Sequence, residues 1–558
     1  GGGEAGEAGG AGDVEDWARL SNGAVLVFLP GTAEIEAVRN ALLARPEMAD
    51  GLQREWVLPL HGSLSPEEQK RVFDRPPKGS GATKVVLATN VAETSITIDD
   101  VRFVVDAGRV KQLSYDPATR MTSLDDVRVS SAAAKQRRGR AGRVAEGLCV
   151  HIYPSDERLD AYTEPEVRRV PLEQLVMRAK ALRLPGLAAQ VCAELPEPPA
   201  AEAVLSSVEA LQGLGALTED ETLTPLGELL AKLPLDPRLG KLILLGSCFD
   251  VLDESLTIAA ALASRSPFMS PYELRSEADA SRLAFAEGGQ SDYLAILNAY
   301  EAFDSLGGSA RYRFARERFL GIKTMQGIAS LKRQLLEALS AAGLVPCGPQ
   351  GLRASYVERV GREEDGSDGV RVALRRARRA ATSWDGRPPE VLLASLLCAS
   401  LHPQLAYVHA PYTKKGKAAR AAQISLLLRP ALGSLAPTEA AVHPASVNSA
   451  LNGEEWHSPY AAYHDCCFTT RRYVRGCSPV PPLAPLIFCG GEVRIEEPPL
   501  VRVDGRLVRD GGEGTVIAVL DGWLRLRIPS EAAPLVLQLR ARVDELFVGI
   551  VERPVSSE

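Results

Sequence analysis

No run of 18 consecutive apolar residues occurs in this 558-residue chain, so no membrane-spanning helix is expected. An excess of positive charge is also missing. The 64 Lys and Arg face 71 Asp and Glu, for a net charge of -7, which excludes bulk attraction to nucleic acid and leaves that task to a local channel. Cysteines are few, nine in number and scattered, with neither a secretory leader nor regular disulfide spacing. That usage suits a reducing, intracellular location and leaves cytoplasm, nucleus and organelle open. Cys466, Cys467, Cys477 and Cys489 near His464 fit no compact zinc knuckle, so buried thiols and no metal site are expected.

Hydrophobic residues make up 45% and charged residues 24%, values with which most of the chain can build packed cores. At about 100 to 200 residues per domain the length implies three to five domains. The first residue is Gly, and 1–12 is a Gly/Ala/Glu tract that reads as flexible linker. The expectation is a fragment of a longer protein.

The first 155 residues alternate strand and helix signals. Ala24 to Leu29 is a continuous apolar run closed by Pro30-Gly31-Thr32, as expected of a strand buried on both faces, and a helix follows over 33–44. Trp56 to Leu60 predicts a second strand. Ser65-Pro66-Glu67-Glu68 then starts a helix to Phe73 with a cap, a proline in the first turn and a capping-box Glu. Lys84 to Ala88, Arg102 to Val105 and Cys149 to Tyr153 complete a parallel α/β sheet, whose ligands belong at the strand carboxyl ends.

Those ends carry the most distinctive residues. Thr89-Asn90-Val91-Ala92-Glu93-Thr94-Ser95-Ile96-Thr97-Ile98-Asp99 is dense in hydroxyls and amides that suit phosphate oxygens, with ordinary turn capping as the plainer alternative. In Gln136-Arg137-Arg138-Gly139-Arg140-Ala141-Gly142-Arg143, Arg140 and Arg143 stand three apart and would share a helix face. Two such guanidiniums can stabilise a transferring phosphoryl group; a solvated basic helix start is the alternative.

Together with Val25 to Gly31, these stretches resemble motifs IV, V and VI of superfamily 2 helicases, specifically the DEAH-box/RNA-helicase-A group. The resemblance implies that Arg140 and Arg143 are arginine fingers toward the γ-phosphate and that Gln136 helps hold the phosphate and attacking water. It implies nucleotide contacts for Phe73, stacking on adenine, for Ser95 and for Asp99, and RNA-backbone contacts for Thr89 and Asn90. Residues 110–127 match a β-hairpin that would act as a strand-separating wedge. The pattern departs from the group in one respect: neither a Gly-x-x-x-x-Gly-Lys-Ser/Thr loop nor an Asp-Glu-x-His sequence is present. ATP would therefore be shared with a first lobe outside this sequence, which would also hold Mg2+, and this chain alone is expected to be inactive as an ATPase.

The remainder resembles the accessory domains of the same group. Short helices over 164–232 suggest a winged helix. Leu233 to Lys241 and the segments through Asn298-Ala299 resemble the ratchet-like helical bundle. A polar insertion at 358–369 precedes a cluster of Arg371, Arg375, Arg376, Arg378 and Arg379, for which solvated surface is the favoured reading over phosphate contact. The chain turns β-rich from Glu390 and resembles an oligonucleotide-binding (OB) fold, with Ser446, Asn448 and Thr469 as RNA-backbone candidates against turn capping. A helix over 533–547 ends the resemblance.

The expected organisation is a linker at 1–21, a second RecA-like lobe at 22–160, a winged helix at 161–233 and a helical bundle at 234–346. A linker at 347–389, an OB fold at 390–500 and a tail at 501–558 complete it. The expected role is an RNA helicase module that couples ATP hydrolysis to movement on single-stranded RNA, with an activating protein partner as an option and no membrane. A nonenzymatic RNA-binding protein and a protein-interaction scaffold are the competing readings.

Overall fold

A computed structural model describes residues 23–49, 51–62, 64, 66–94, 96–143, 146–249, 251–271, 274–344, 390–410, 418–430, 434, 436–469, 471–503, 506–509 and 514–552. Ser95, the insertion at 358–369 and the Arg371 to Arg379 cluster lie outside the described residues. The chain forms two compact units. One runs to Ser114 and resumes over Leu124–Arg169; the other takes Tyr115–Ser123 and the chain from Val170 onward.

In the first unit, β1 (Ala24–Phe28), β2 (Val57–Leu60), β3 (Val85–Ala88), β4 (Val101–Asp106) and β7 (Leu148–His151) form a parallel sheet in the order β2-β3-β1-β4-β7. Both faces are covered, which explains the continuous apolar runs. Val25, Val27, Leu29, Val85 and Leu87 pack with Ile35 of α1 (Thr32–Leu43). Leu26, Phe28, Val86, Ala88 and Val104 pack on the other face with Val72, Ala92 and Ala141. The expected helix to Phe73 changes character part-way: Pro66–Lys70 is α-helical and Arg71–Phe73 is a 3-10 turn. Strands β5 (Arg109–Asp116) and β6 (Met121–Arg128) supply the hairpin anticipated at 110–127, and α2 (Ser131–Arg138) follows.

The second unit begins with α3 (Glu173–Ala181), α4 (Ala201–Leu214) and α5 (Pro225–Ala231). Gly215, at φ 83°, ends α4 in the left-handed region that favours glycine, and Leu217 bridges Leu223 as a minimal wing. Thr224 then caps α5, accepting a hydrogen bond from the Gly227 amide at 3.0 Å, with Pro225 in the first turn. The bundle consists of α6 (Pro237–Cys248), α7 (Leu252–Leu262), α8 (Asp292–Asp304) and α9 (Ile322–Ala341), beside the helices Arg275–Phe285 and Gly308–Glu317. Helices α6 and α7 are buried nearly all round, as central bundle members must be.

The region expected to turn β-rich at Glu390 opens instead with α10 (Glu390–Leu401). Its apolar run, buried from Leu396 to Leu401, is helical because packing decides between helix and strand where no polar face sets a period. Five strands then close a barrel: β8 (Leu405–His409), β9 (Ser425–Leu428), β10 (Thr438–Val442), β11 (Tyr460–Phe468) and β12 (Arg472–Pro479). The ring runs β8-β9-β10-β12-β11 and returns to β8. Thr122 and Ser123 of β6 extend it beside Cys467 and Phe468 of β11.

The bundle is fastened to the barrel by polar groups at the start of α8. Asp292 accepts from the amides of Val447 and Cys477, both at 2.8 Å, Ser478 donates to Ser291 at 2.7 Å, and Tyr293 donates to the Gly476 carbonyl. Beyond the barrel, β13 (Val493–Glu496), β16 (Thr515–Leu520) and β17 (Leu524–Pro529) pair antiparallel, with β14 (Leu500–Val503) and β15 (Arg506–Arg509) as a separate hairpin. The final helix, α11 (Ala532–Glu552), outruns the expected 533–547 at both ends.

Candidate nucleotide and nucleic-acid site

At the carboxyl end of β3, Thr89 is half-buried and its amide donates to the Leu60 carbonyl at 3.1 Å, while Asn90 is exposed. Val91–Thr94 makes a single helical turn, and Asp99 is exposed beyond it. Helix α2 starts at Ser130, whose hydroxyl accepts from the Ala133 amide at 3.2 Å, and presents Gln136 to solvent in its last turn.

Arg137 does the opposite of Gln136. It is 1% exposed, donates from Nε to Glu93 at 3.1 Å and from Nη1 to Asp106 at 2.9 Å, and sits 5.0 Å from the centroid of the Phe28 ring. It also reaches the Arg109 carbonyl at 3.2 Å. One guanidinium thus joins β1, β4, β5 and the 91–94 turn, its charge balanced by two carboxylates, as a buried cation requires.

The helix ends at Arg138, so Arg140 and Arg143 do not share a helix face as the spacing implied. They lie in the turns that follow, because Gly139 and Gly142 disfavour continuing the helix. The turns still bring both to one recess, lined also by Ile96, Thr97 and Val101. Arg140 is half-buried and donates to the carbonyls of Ile96, at 3.2 Å, and Glu93. Burial and the neighbouring Arg143 charge lower its pKa, partly countered by Glu93. Arg143 is exposed and makes no hydrogen bond or ion pair to another described residue. The recess therefore offers one arginine holding the 93–96 loop and one open to a ligand.

Phe73 is 51% exposed, so it does not face the core; Val72 takes that place. The ends of its turn are held by Lys84, a residue 2% exposed whose ammonium donates to the carbonyls of Val72 at 2.8 Å and Asp74 at 2.9 Å. The same ammonium meets Asp100 at 2.7 Å. Three donors find three acceptors, and the turn carrying Phe73 is tied to the one carrying Asp99.

In the barrel, Ser446 and Asn448 are 3% and 2% exposed. The Ser446 hydroxyl accepts from the Asn448 amide at 3.2 Å, and the Asn448 side chain donates to the Cys477 carbonyl at 3.1 Å. These bonds cap and brace the turn after His443, the turn capping that the sequence offered beside RNA-backbone contact. Thr469 is exposed, at the end of β11. Cys466, Cys467, Cys477 and Cys489 are buried thiols.

The sequence matches the helicase conserved C-terminal domain over residues 14–145 and the winged-helix part of the helicase associated domain HA2 over 207–235. The ratchet-like part of HA2 follows over 236–319, and an oligonucleotide/oligosaccharide-binding fold over 393–492. DHX57 of Mus musculus is 41% identical over 545 residues, which are 95% of this chain and 37% of that protein. The ATP-dependent DNA/RNA helicase DHX36 of Homo sapiens is 34% identical over 546 residues, 96% of this chain and 47% of the other. The DExH-box ATP-dependent RNA helicase DExH1 of Arabidopsis thaliana is 34% identical over 545 residues, 97% and 48%. The chain carries the C-terminal domains of a DEAH-box helicase. It spans less than half the length of these relatives.

Within this helicase lobe the sequence pointed to Gln136, Arg140 and Arg143 of its arginine motif and passed over Arg137 and Lys84. The missed signal for Arg137 was its place one turn ahead of Arg140 on a helix whose apolar alanines face inward. Lys84 directly precedes a strand buried at every position, where a charged residue needs partners.

Proposed function

We propose that this chain supplies one half of an ATP-driven motor that steps along single-stranded RNA and parts duplexes. The observation that carries the reading is the convergence of Arg140, Arg143 and the 96–98 segment on one recess. In this reading 22–160 is the second motor lobe, 161–233 the winged helix, 234–346 the ratchet and 390–500 the OB domain.

ATP supplies a phosphoryl group whose transfer to water drives the motor. Arg143, exposed and unpaired among the described residues, meets the phosphate oxygens as negative charge develops on them. Arg140 holds the Glu93 and Ile96 carbonyls and reaches the phosphates from there, and Ser95 contacts the nucleotide. Gln136 orients water, Phe73 offers an open ring to the base, and Asp99 lies near the ribose. Thr89 and Asn90, on the same loop system, touch the RNA backbone, which couples nucleotide state to grip. The reading leaves magnesium with the first lobe.

The test is RNA-stimulated ATP hydrolysis by this chain joined to its upstream sequence, with the isolated chain in parallel. Turnover only in the joined protein supports the proposal. Silence in both with RNA binding retained moves the assignment to a nonenzymatic RNA-binding protein, and loss of RNA binding as well moves it to a scaffold.

A further inference from the structure

We infer that the outward face of α11 is a self-association surface, on which a second copy of this chain lays the same helix antiparallel, leucine against leucine and Arg542 against Glu545. The motor reading above does not use this surface.

The roll of α11 is fixed from its inner side. Ala533, Val536 and Val551 are buried, and Arg540 donates to the carbonyls of Leu486 at 2.9 Å and Gly491 at 2.7 Å, so one side of the helix is committed to the chain's own body. A second apolar stripe is left outside. Leu535, Leu539 and Leu546 are 65%, 49% and 46% exposed, and their spacings of four and seven place them one above another on a helix of 3.6 residues per turn. Val543 and Ile550, partly buried, border the stripe. One exposed leucine is ordinary on a protein surface, whereas three aligned along about 16 Å of helix make a contact face.

The stripe is self-complementary when one helix is turned end for end. Inversion about its middle, between Arg542 and Val543, sets Leu539 opposite Leu546 and Leu535 opposite Ile550, apolar against apolar. Charge follows the same symmetry. Arg542 and Glu545 form an exposed ion pair at 2.6 Å, one turn apart beside the stripe. Inversion brings each within reach of its opposite on the other copy, twice across a two-fold axis, as an isologous contact requires. A parallel pair would instead set Arg542 against Arg542 and Glu545 against Glu545.

Other occupants meet the wrong charge. Along α11, Arg540 and Arg542 stand against Asp544, Glu545 and Glu552, and Arg540 is already engaged inward. A nucleic acid or an anionic lipid surface therefore meets like charge, while a second copy presents the same mixture of signs in reverse order. Pairing over this length buries roughly 1,000 Å² in total, near the lower limit of specific interfaces, so the expected dimer is transient with a micromolar dissociation constant.

The experiment is sedimentation velocity on the full chain across roughly 1 to 100 µM, the range such an interface implies. It compares wild type, Leu539→Glu/Leu546→Glu, Arg542→Glu, Glu545→Arg and an equimolar mixture of the last two, with thermal melts to verify folding. Wild type is expected to pass from monomer to dimer, and the leucine variant to associate at least tenfold more weakly. Each charge variant alone turns both cross-copy ion pairs into repulsions and is expected to associate about fivefold more weakly. Their mixture is expected to recover wild-type association, because each changed residue then meets its opposite. Wild type that stays monomeric overturns the inference, and so does a dimer that the leucine variant leaves intact. Growth beyond the dimer overturns the two-fold arrangement, and a mixture that associates no better than its components overturns the antiparallel pairing. Arg542 and Glu545 are both exposed, so the charge variants keep the test decisive even where the leucine variant loses its fold.

Discussion

Arg137 and Arg143 belong to one motif, and burial separates them. Arg137 is enclosed with Asp106, 0% exposed, and Glu93, so removing its charge strands two carboxylates. Arg137→Met is expected to destabilise the first unit by about 3–5 kcal/mol, measured by urea denaturation. Arg143→Ala has no such partners to strand and should leave stability and RNA affinity unchanged. In the joined protein the same change should lower turnover about 10³-fold, and near-normal hydrolysis would remove Arg143 from the phosphate site. Lys84→Met tests the clamp between the Phe73 and Asp99 turns. It should raise the KM for nucleotide by a larger factor than it lowers kcat, because the lost ammonium frees a base contact and touches no reacting atom.

At the scale of elements, strands and caps were the most legible features. The apolar runs at 24–29 and 85–88 had to be buried strands, and the helix read after Ser65-Pro66 starts at Pro66, because such signals are local. The stop of α2 at Arg138 was obscured by the regular spacing of its arginines, though two glycines marked it. Ser446 and Asn448 were ambiguous for a different reason: a turn cap and a phosphate contact use the same hydroxyl and amide. The barrel end carries a pH dependence that can be measured. The folded pKa of His443 is about 4 against an ordinary 6.5, lowered by burial first and then by Arg475, Arg282 and Arg275, so between those values the unfolded chain binds more protons. Stability of the second unit should therefore fall as pH drops from 6.5 toward 4. His443→Gln should flatten that slope, and an unchanged slope in thermal melts would place the titration elsewhere.

At the scale of the whole molecule, the hairpin shows how the chain divides labour. Its stems belong to the first unit, while Tyr115–Ser123 belongs to the second, where Arg120 bonds Ser206 at 3.1 Å and Glu209 at 3.2 Å and Thr122 reaches Asp465 at 3.3 Å. Arg120→Ala should loosen this anchorage, seen as faster amide exchange over 115–123 with the parallel sheet unaffected. Motif order, strand periodicity and cap residues lie within a few positions of one another along the chain, so the helicase array and its arginine-rich loop could be read directly from the residues. The partners of Arg137, Lys84 and Asp292 join residues from 10 to 185 positions apart. Such pairings are decided by packing, since a charge can be buried only where the fold delivers its counterpart.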